Sequence, residues 1–535
     1  MVLRNAAVHT MATPERVDAI AIRGGRIVYA GDNSGADRLI GDVTEVDLGG
    51  RMVLPGFHDT HVHPQGGISL SECRLDDLAT RQAIVDSVAA CARAAPNAPW
   101  VRGRGWALPV FPGANPRKEW LDQVVPDRPV FLTAADGHSA WVNSRALEMA
   151  GVTRATPDPP NGRIERDSRT GDPSGTLRES AEQLAGKHLP GYSLAERMAG
   201  LERAMTMANQ LGITTLHDAS AGPDALEAYA ELDRAGRLTA RVIAAQYVDP
   251  LGGLGQVDSL VARRERFRGP RYFRPTAVKF FADGVIEAKT AALLAPYLHS
   301  GDTTGIANFS ERLLDSLVAA LDRVGFQIHV HAIGDRAIRI SLDALERARR
   351  VNGPRDARPI LAHIQLFDPA DIPRFKALGV IASFQPLWAQ ADKYITELTE
   401  PVLGPERSRW LYPIGSMAKS GATVAAGSDW TVSSMNPLEA IQVALTRRSP
   451  TDSAAASWIP AEVVDVGTML RAYTVNGAFA AFDETTNGAL EIGKAADVIV
   501  LDRDLTRIPP TEIHRAKVLL SLLDGRVVYR DRVLR

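Results

Sequence analysis

Eight short, continuously apolar runs separated by stretches of helical spacing constrain this chain more than any other feature. They are MVLPGF (52–57), GITTLHD (212–218), RVIAAQYV (241–248), TAVKFF (276–281), FQIHVHA (326–332), RPILAHI (358–364), GVIASF (379–384) and ATVAAGSD (422–429). A strand that is apolar along its length has protein against both faces, as in a parallel sheet covered by helices. The segments between them fit that reading. ERLLDSLVAALDRVG (311–325) has helical periodicity and ends on Gly325, and DRAIRISLDALERARR (335–350) carries Asp335 where a helix cap is expected. The pattern predicts an α/β fold, a (β/α)8 barrel over residues 53–479, with an open doubly wound sheet as the alternative.

The two chain ends have a different texture. DAIAIRGGRIVYAGD reads as a hairpin around Gly24 and Gly25, and VTEVDLGG as a further strand. NGALEIGKAADVIVLDRD and AKVLLSLLDGRVVYRDRVL repeat the style with GK and DG turns, so residues 1–52 and 480–535 are expected to form one composite β domain. Between the first and second barrel strands the chain is much longer than a crossover needs. That stretch holds its own strand in RPVFLTAADGH, helical pieces and the loop TPDPPNG, so residues 68–205 read as an insertion within the barrel domain.

Composition narrows the function. A net charge of -2 argues against a dedicated binder of nucleic acid or of an anionic membrane, and 45% hydrophobic with 23% charged residues is ordinary for a folded globular chain. The expected partner is a small-molecule substrate, with a homodimer as the candidate assembly. Cys73 and Cys91 are the two cysteines, too few for a disulfide framework or a cysteine-rich zinc site. No stretch has the apolar length of a signal peptide core or a membrane span, and the expected location is cytoplasmic.

PGFHDTHVHP (55–64) packs three histidines and an aspartate into the end of the first run. Side chains alternate along a strand, so Asp59, His61 and His63 share a side while His58 points away, toward packing. Catalytic groups on such barrels gather where strands end. There the sequence places His61, His63, Lys279, His331, His363 and Asp429. A single histidine reads as structural, but histidine is only 12 of 535 residues, and four at strand ends point together to a divalent cation. Nitrogen and oxygen ligands suit zinc, with manganese, iron or nickel as alternatives. His329 competes with His331 and is expected one layer deeper; His217 ends its strand close to the mouth. Lys279 has two readings of equal standing. As a buried amine it carries a carbamate that bridges two cations, or as an ammonium it pairs with an acid such as Asp283.

With these residues set out, a resemblance follows. PGFHDTHVH, KFFADG, HVHAIGDRA, LAHIQ, AAGSDW and the closing GALEIGKAADVIVLDRD resemble the metal-dependent amidohydrolase superfamily. GWALPVFPGANPRKEWLDQVVPDRPVFLTAADGHSAWVNSRAL and GSDWTVSSMNPLEAIQVALTR are similar to its amidohydrolase 3 branch, which includes N-substituted formamide deformylases and YtcJ-like proteins. The likeness implies a distorted TIM barrel with one or two divalent ions, flanked by a composite β-sandwich from both chain ends. It also implies His61 and His63 on the more buried ion, His331 and His363 on the other, and a carboxylated Lys279 between them. Asp429 becomes both ligand and proton carrier, with a mononuclear site as the alternative.

The expected reaction is attack of a metal-bound hydroxide on the carbonyl of a small N-substituted formamide or N-acyl amine, breaking its C–N bond. Ester, lactone or carbamate hydrolysis is the alternative on the same site. Ring deamination is disfavoured because HAIGDRA offers Asp335 where related deaminases carry a glutamate. Trp106, His138, Glu287, Gln385, Trp388 and Trp430 are the candidate substrate-binding residues, and their aromatics suit an apolar N-substituent. A non-catalytic scaffold is disfavoured because all six ligand positions are filled, and a nucleotide-binding α/β protein because no glycine-rich phosphate loop follows an early strand.

Overall fold

Eight parallel strands form the centre of a computed structural model that describes residues 1–38, 44–269, 271–452 and 454–534. In spatial order they are Phe57–Val62, Ile213–Ala221, Arg241–Tyr247, Phe273–Phe281, Gln327–Ala332, Ile360–His363, Ile381–Phe384 and Val424–Ala426. Each follows its predecessor in sequence, and parallel pairing runs through all eight. The last and first strands meet at the top, where Asp429 N donates to His61 O and His63 N to Trp430 O, both at 2.7 Å. This near closure excludes the open doubly wound sheet.

Gly427 makes the seam possible. A Cβ there would stand 2.6 Å from His61 N and 2.8 Å from His61 Cβ, so only glycine lets the eighth strand pass this close to the first. Asp59 adds a second latch, its Oδ1 accepting from Ser428 N at 3.0 Å and His61 N at 3.2 Å. The local sequence thereby carries Asp429 to the two histidines of HVH.

The helices form as their spacing predicts. Glu311–Arg323 is capped by Ser310 and followed by Gly325 in the left-handed region (φ 85°). Its apolar stripe, Leu314, Leu317, Val318 and Leu321, is fully buried against the barrel. Asp335–Asn352 begins one residue earlier than the predicted cap requires. Gly334 is the cap, and Asp335 lies in the first turn with its Oδ1 accepting from Leu294 N at 2.8 Å and Arg336 N at 3.0 Å.

Three further expectations are corrected. The first barrel strand is not Met52–Pro55, which joins Val498–Leu501 and Ala7–His9 in a six-stranded sheet, but Phe57–Val62 beyond it. Gly56 separates them, where a Cβ would sit 2.2 Å from Thr214 Oγ1. Residues 73–179 hold a six-stranded sheet, not a single strand, in the order Gly162–Arg166, Pro173–Glu179, Ser139–Val142, Val130–Ala134, Val101–Trp106, Cys73–Arg74. Helix Leu194–Gln210, partly assigned to the insertion by its limit at 205, packs Leu201, Ala204 and Met205 into the barrel core. The two cysteines, although no framework, form a Cys73–Cys91 disulfide between the edge strand of this sheet and helix Arg81–Ala94.

A four-stranded sheet (Arg26–Gly31, Ala19–Arg23, Val2–Arg4, Glu45–Asp47) completes the chain ends, sharing a core of Leu3, Ile20 and Ile27 with Val53, Val498 and Leu520 of the six-stranded end sheet. Of the strand expected in VTEVDLGG, Glu45–Asp47 is extended and Val43 lies outside the described residues. Among the described residues no helix is long and apolar enough to cross a membrane.

Candidate metal centre

His61 lies near the end of the first barrel strand, Lys279 inside the fourth and His331 inside the fifth; His363 closes the sixth, and Asp429 follows the eighth by three residues. All five are buried, and His63, just past its strand, has a side chain 28% exposed. His363 (φ 71°) and Asp429 (φ 52°) hold left-handed backbone that a non-glycine residue adopts only at a cost, a feature that concentrates at functional sites.

Asp429 Oδ1 is the point of convergence. It stands 3.0 Å from His63 Nε2 and 3.5 Å from His61 Nε2, is buried, and accepts no hydrogen bond. Ligand atoms at about 2.1 Å from a tetrahedral ion are about 3.4 Å from one another, and these two separations lie close to that spacing. His61, His363 and Asp429 also place one ligand atom each within 4.8 Å of the others. On the far side the His331 and His363 rings are 4.5 Å apart, and His363 Nδ1 is 3.9 Å from Asp429 Oδ2.

The rings of His61, His331 and His363 are each held by a hydrogen bond. His61 Nδ1 meets His329 Nε2 at 2.9 Å, which places His329 one layer deeper and turns His61 Nε2 toward Asp429 and Lys279. His331 Nε2 is 3.1 Å from Gly284 O, leaving Nδ1; His363 Nδ1 is 2.8 Å from Gln385 Oε1, leaving Nε2. Burial, reinforced by Lys279, holds His61, His329, His331 and His363 well below the ordinary histidine range. Neutral rings with one committed nitrogen have a lone pair for a cation.

Lys279 is fully buried, with His61 Nε2 at 3.2 Å. The alternative pairing with Asp283 does not occur. The Asp283 carboxylate accepts backbone N–H groups of Ala292, Gly334 and Ile333 at 2.8, 2.9 and 3.0 Å. Among the described residues no acid forms an ion pair with Lys279. Burial lowers its amine to about 7, against the opposing pull of Asp429 and Asp218. An amine that is neutral near pH 7 is a nucleophile, which is what carbamate formation requires.

The proposed pocket residues divide. His138 reaches the mouth, its ring 5.1 Å from that of His331 and its Nδ1 2.9 Å from Glu179 Oε2. Burial would lower His138, but Glu179 outweighs it and raises the ring to about 10. Trp388 stacks on His363 (5.5 Å, 6°) with Nε1 donating to Ser433 Oγ at 3.0 Å. Gln385 holds His363, and Glu287 accepts from Gln365 and Thr399. Trp430 contributes its carbonyl to His63 while its ring belongs to the barrel core. Trp106 is misassigned: it is fully buried in the insertion core, Nε1 donating to Leu132 O at 2.9 Å, with Phe111 and Trp141 against it. His58 packs against Gly477, as its parity predicts, and His217 is buried among groups that include His58 and Arg274.

Sequence reasoning missed the acids that the insertion sheet delivers. Glu179 ends Pro173–Glu179 and bonds both His138 and Thr290 Oγ1, and Asp136 and Glu182 are charge neighbours of His138. Burial raises both Asp136 and Glu182. DGH (136–138) was the one available signal, a turn that places an acid two residues before a histidine.

A profile of the amidohydrolase family matches residues 44–529. Among curated proteins, LONG AFTER FAR-RED 3 of Arabidopsis thaliana is 31% identical, covering 96% of this chain and 88% of its own. The N-substituted formamide deformylase of Arthrobacter pascens is 29% identical over 99% and 98%. A metal-dependent hydrolase of Pyrococcus furiosus superposes with a TM-score of 0.71 at 27% identity, covering 94% of this chain and 99% of that one.

Proposed function

Because the chain belongs to the amidohydrolase family, we propose that it hydrolyses the C–N bond of a small N-substituted formamide or N-acyl amine. The observation that carries the reading is the buried Asp429 Oδ1, close to His61 Nε2 and His63 Nε2 and free of hydrogen bonds among the described residues, beside a buried lysine that forms no ion pair among them. Those groups fit a divalent cation, with zinc the first choice for an N/O set. His61, His63 and Asp429 would hold one ion and His331 and His363 a second, with a carboxylated Lys279 between them.

Such an ion acidifies a water molecule and polarises a carbonyl oxygen. Asp429 Oδ2, the oxygen not shared with His61 and His63, takes the proton of the attacking water and returns it to the departing nitrogen. His329 and Gly284 O fix the rings so that these groups meet the substrate without rearrangement. Asp335, the acid nearest to a deaminase's ring-protonating glutamate in sequence, is tied to Leu294 N and Arg336 N, which favours open amides over ring deamination. The 29% identity to a formamide deformylase supports the same choice.

The test is elemental analysis of the purified protein followed by amine release from a panel of N-formyl and N-acyl amines, with esters and lactones alongside. We expect one or two equivalents of metal and turnover of an amide. A metal-free protein that added zinc does not activate would refute the reading. Intact-mass analysis before and after mild acid should show loss of carbon dioxide from Lys279. We further read the two end sheets as a composite sandwich of residues 1–52 and 480–535, extended to Pro55 by strand Met52–Pro55, and the cytoplasm as the working location. Alkylation of rapidly quenched cells tests that location, because a Cys73–Cys91 disulfide that is oxidised in vivo would point to an oxidising compartment instead.

A further inference from the structure

The seventh barrel strand, Ile381–Phe384, hands the chain to a short turn, Pro386–Trp388, that closes on His363 from two directions. Trp388 covers the ring's face and Gln385 meets its edge. Gln385 is 1% exposed, and its amide is half used: Oε1 lies 2.8 Å from His363 Nδ1, while Nε2 is buried with no acceptor among the described residues. A buried amide N–H without a partner is costly, which makes an unmet donor beside a catalytic centre a mark of a missing acceptor.

The orientation is set by chemistry. Were Nε2 to face His363 instead, Nδ1 would be the acceptor and the ring's proton would sit on Nε2, closing the lone pair that a cation needs. With Oε1 on Nδ1–H, His363 Nε2 is open and Gln385 Nε2 is the group left over. Trp388 N donates to Gln385 O at 3.0 Å and Trp388 Nε1 to Ser433 Oγ, so the turn is held at both ends and the donor is fixed in place.

We propose that Gln385 Nε2 donates to the carbonyl oxygen of the scissile group, so that this site selects substrates by an oxygen acceptor and stabilises the charge that collects on it as the carbonyl carbon is attacked. This rests on the hydrolase reading above and adds a specificity residue that the metal ligands do not supply. It also separates the two ends of one side chain: Oε1 positions a ligand and Nε2 reads the substrate.

Gln385→Glu tests the division, because it keeps an acceptor for His363 Nδ1–H and deletes the N–H donor. Metal content, kcat and KM are measured on whichever of the amides, esters or lactones the wild-type protein turns over. The expected result is wild-type metal content with kcat lower by about 100-fold. Gln385→Met removes both bonds and should lose about 10- to 100-fold in metal affinity as well. Binding of N-methylformamide to the metal-loaded protein, followed by NMR, reads the donor without turnover and should weaken in both variants. Either variant retaining full kcat or unchanged N-methylformamide binding overturns the proposal. Loss of metal from Gln385→Glu also overturns it, since the side chain would then act through His363 alone. If amides are not turned over but esters are, the amide reading fails while the donor is still tested.

Discussion

The rim of the barrel and its junction with the chain-end sheets treat buried charge in opposite ways. At the junction Arg241, Arg271, Asp497 and Asp524 answer one another. Arg241 donates to Asp497 at 2.9 Å and also to Asp524, which takes Tyr272 OH and Arg271 as well, each at 2.7 Å, while Asp524 N donates to Asp497. At the rim, among the described residues, Lys279 has no ion pair, Asp429 Oδ1 no hydrogen-bond donor and Gln385 Nε2 no acceptor. Burial costs both regions alike, so the difference lies in what completes them. The junction is finished by the chain itself, and the rim has the form of a site finished by a cation and a substrate.

The widest separation should come from Asp429→Asn. It leaves the packing intact and removes the proposed proton carrier, so turnover should fall by about 10³- to 10⁴-fold with an unchanged melting temperature; undiminished turnover would remove Asp429 from the chemistry. Arg241→Met should do the reverse. Breaking a buried ion-pair network by deleting one partner costs about 3–5 kcal/mol in a denaturant titration, with kcat of the folded fraction preserved.

Lys279→Met sharpens the contrast further. In metal-free protein it removes a buried amine that gives up its proton on folding, so it should stabilise the fold by about 1–3 kcal/mol near pH 7 while lowering bound metal. The sign of its pH dependence follows from the amine's fall from 10.5 to about 7. Between those values the unfolded chain binds a proton that the folded chain does not, so wild-type stability rises with pH through that window and the advantage of methionine shrinks. A gap that is constant from pH 7 to 10 would show that the amine is not depressed. The smallest effect expected is Trp106→Phe, which loses the bond to Leu132 O for about 1 kcal/mol and leaves KM unaltered. A changed KM would return Trp106 to the pocket.

Much of the rim was legible because its residues stand at strand ends, where a period of two and a barrel's polarity suffice. HVH (61–63) and the apolar run before Asp429 needed no partner to be read. The first barrel strand was misplaced because MVLPGF is apolar on both sides of Gly56, and only the pairing of Met52–Pro55 with Val498–Leu501 shows which half belongs to which sheet. Trp106 was misread because VRGRGW (101–106) has no apolar alternation, although it is an interior strand of the insertion sheet. Glu179 and Glu182 gave no signal and Asp136 only the DGH turn, since they come from a region that periodicity marked only as extra chain.

The sequence by itself determined which side chains can bind a cation and that a parallel barrel would collect them at one rim, because both follow from residue type and spacing within a few positions. Tertiary structure alone decided which ring nitrogens are committed and which groups are left unanswered. His61 meets Lys279 across 218 positions and His329 across 268, and a hydrogen bond depends on tenths of an ångström that only the closed barrel sets.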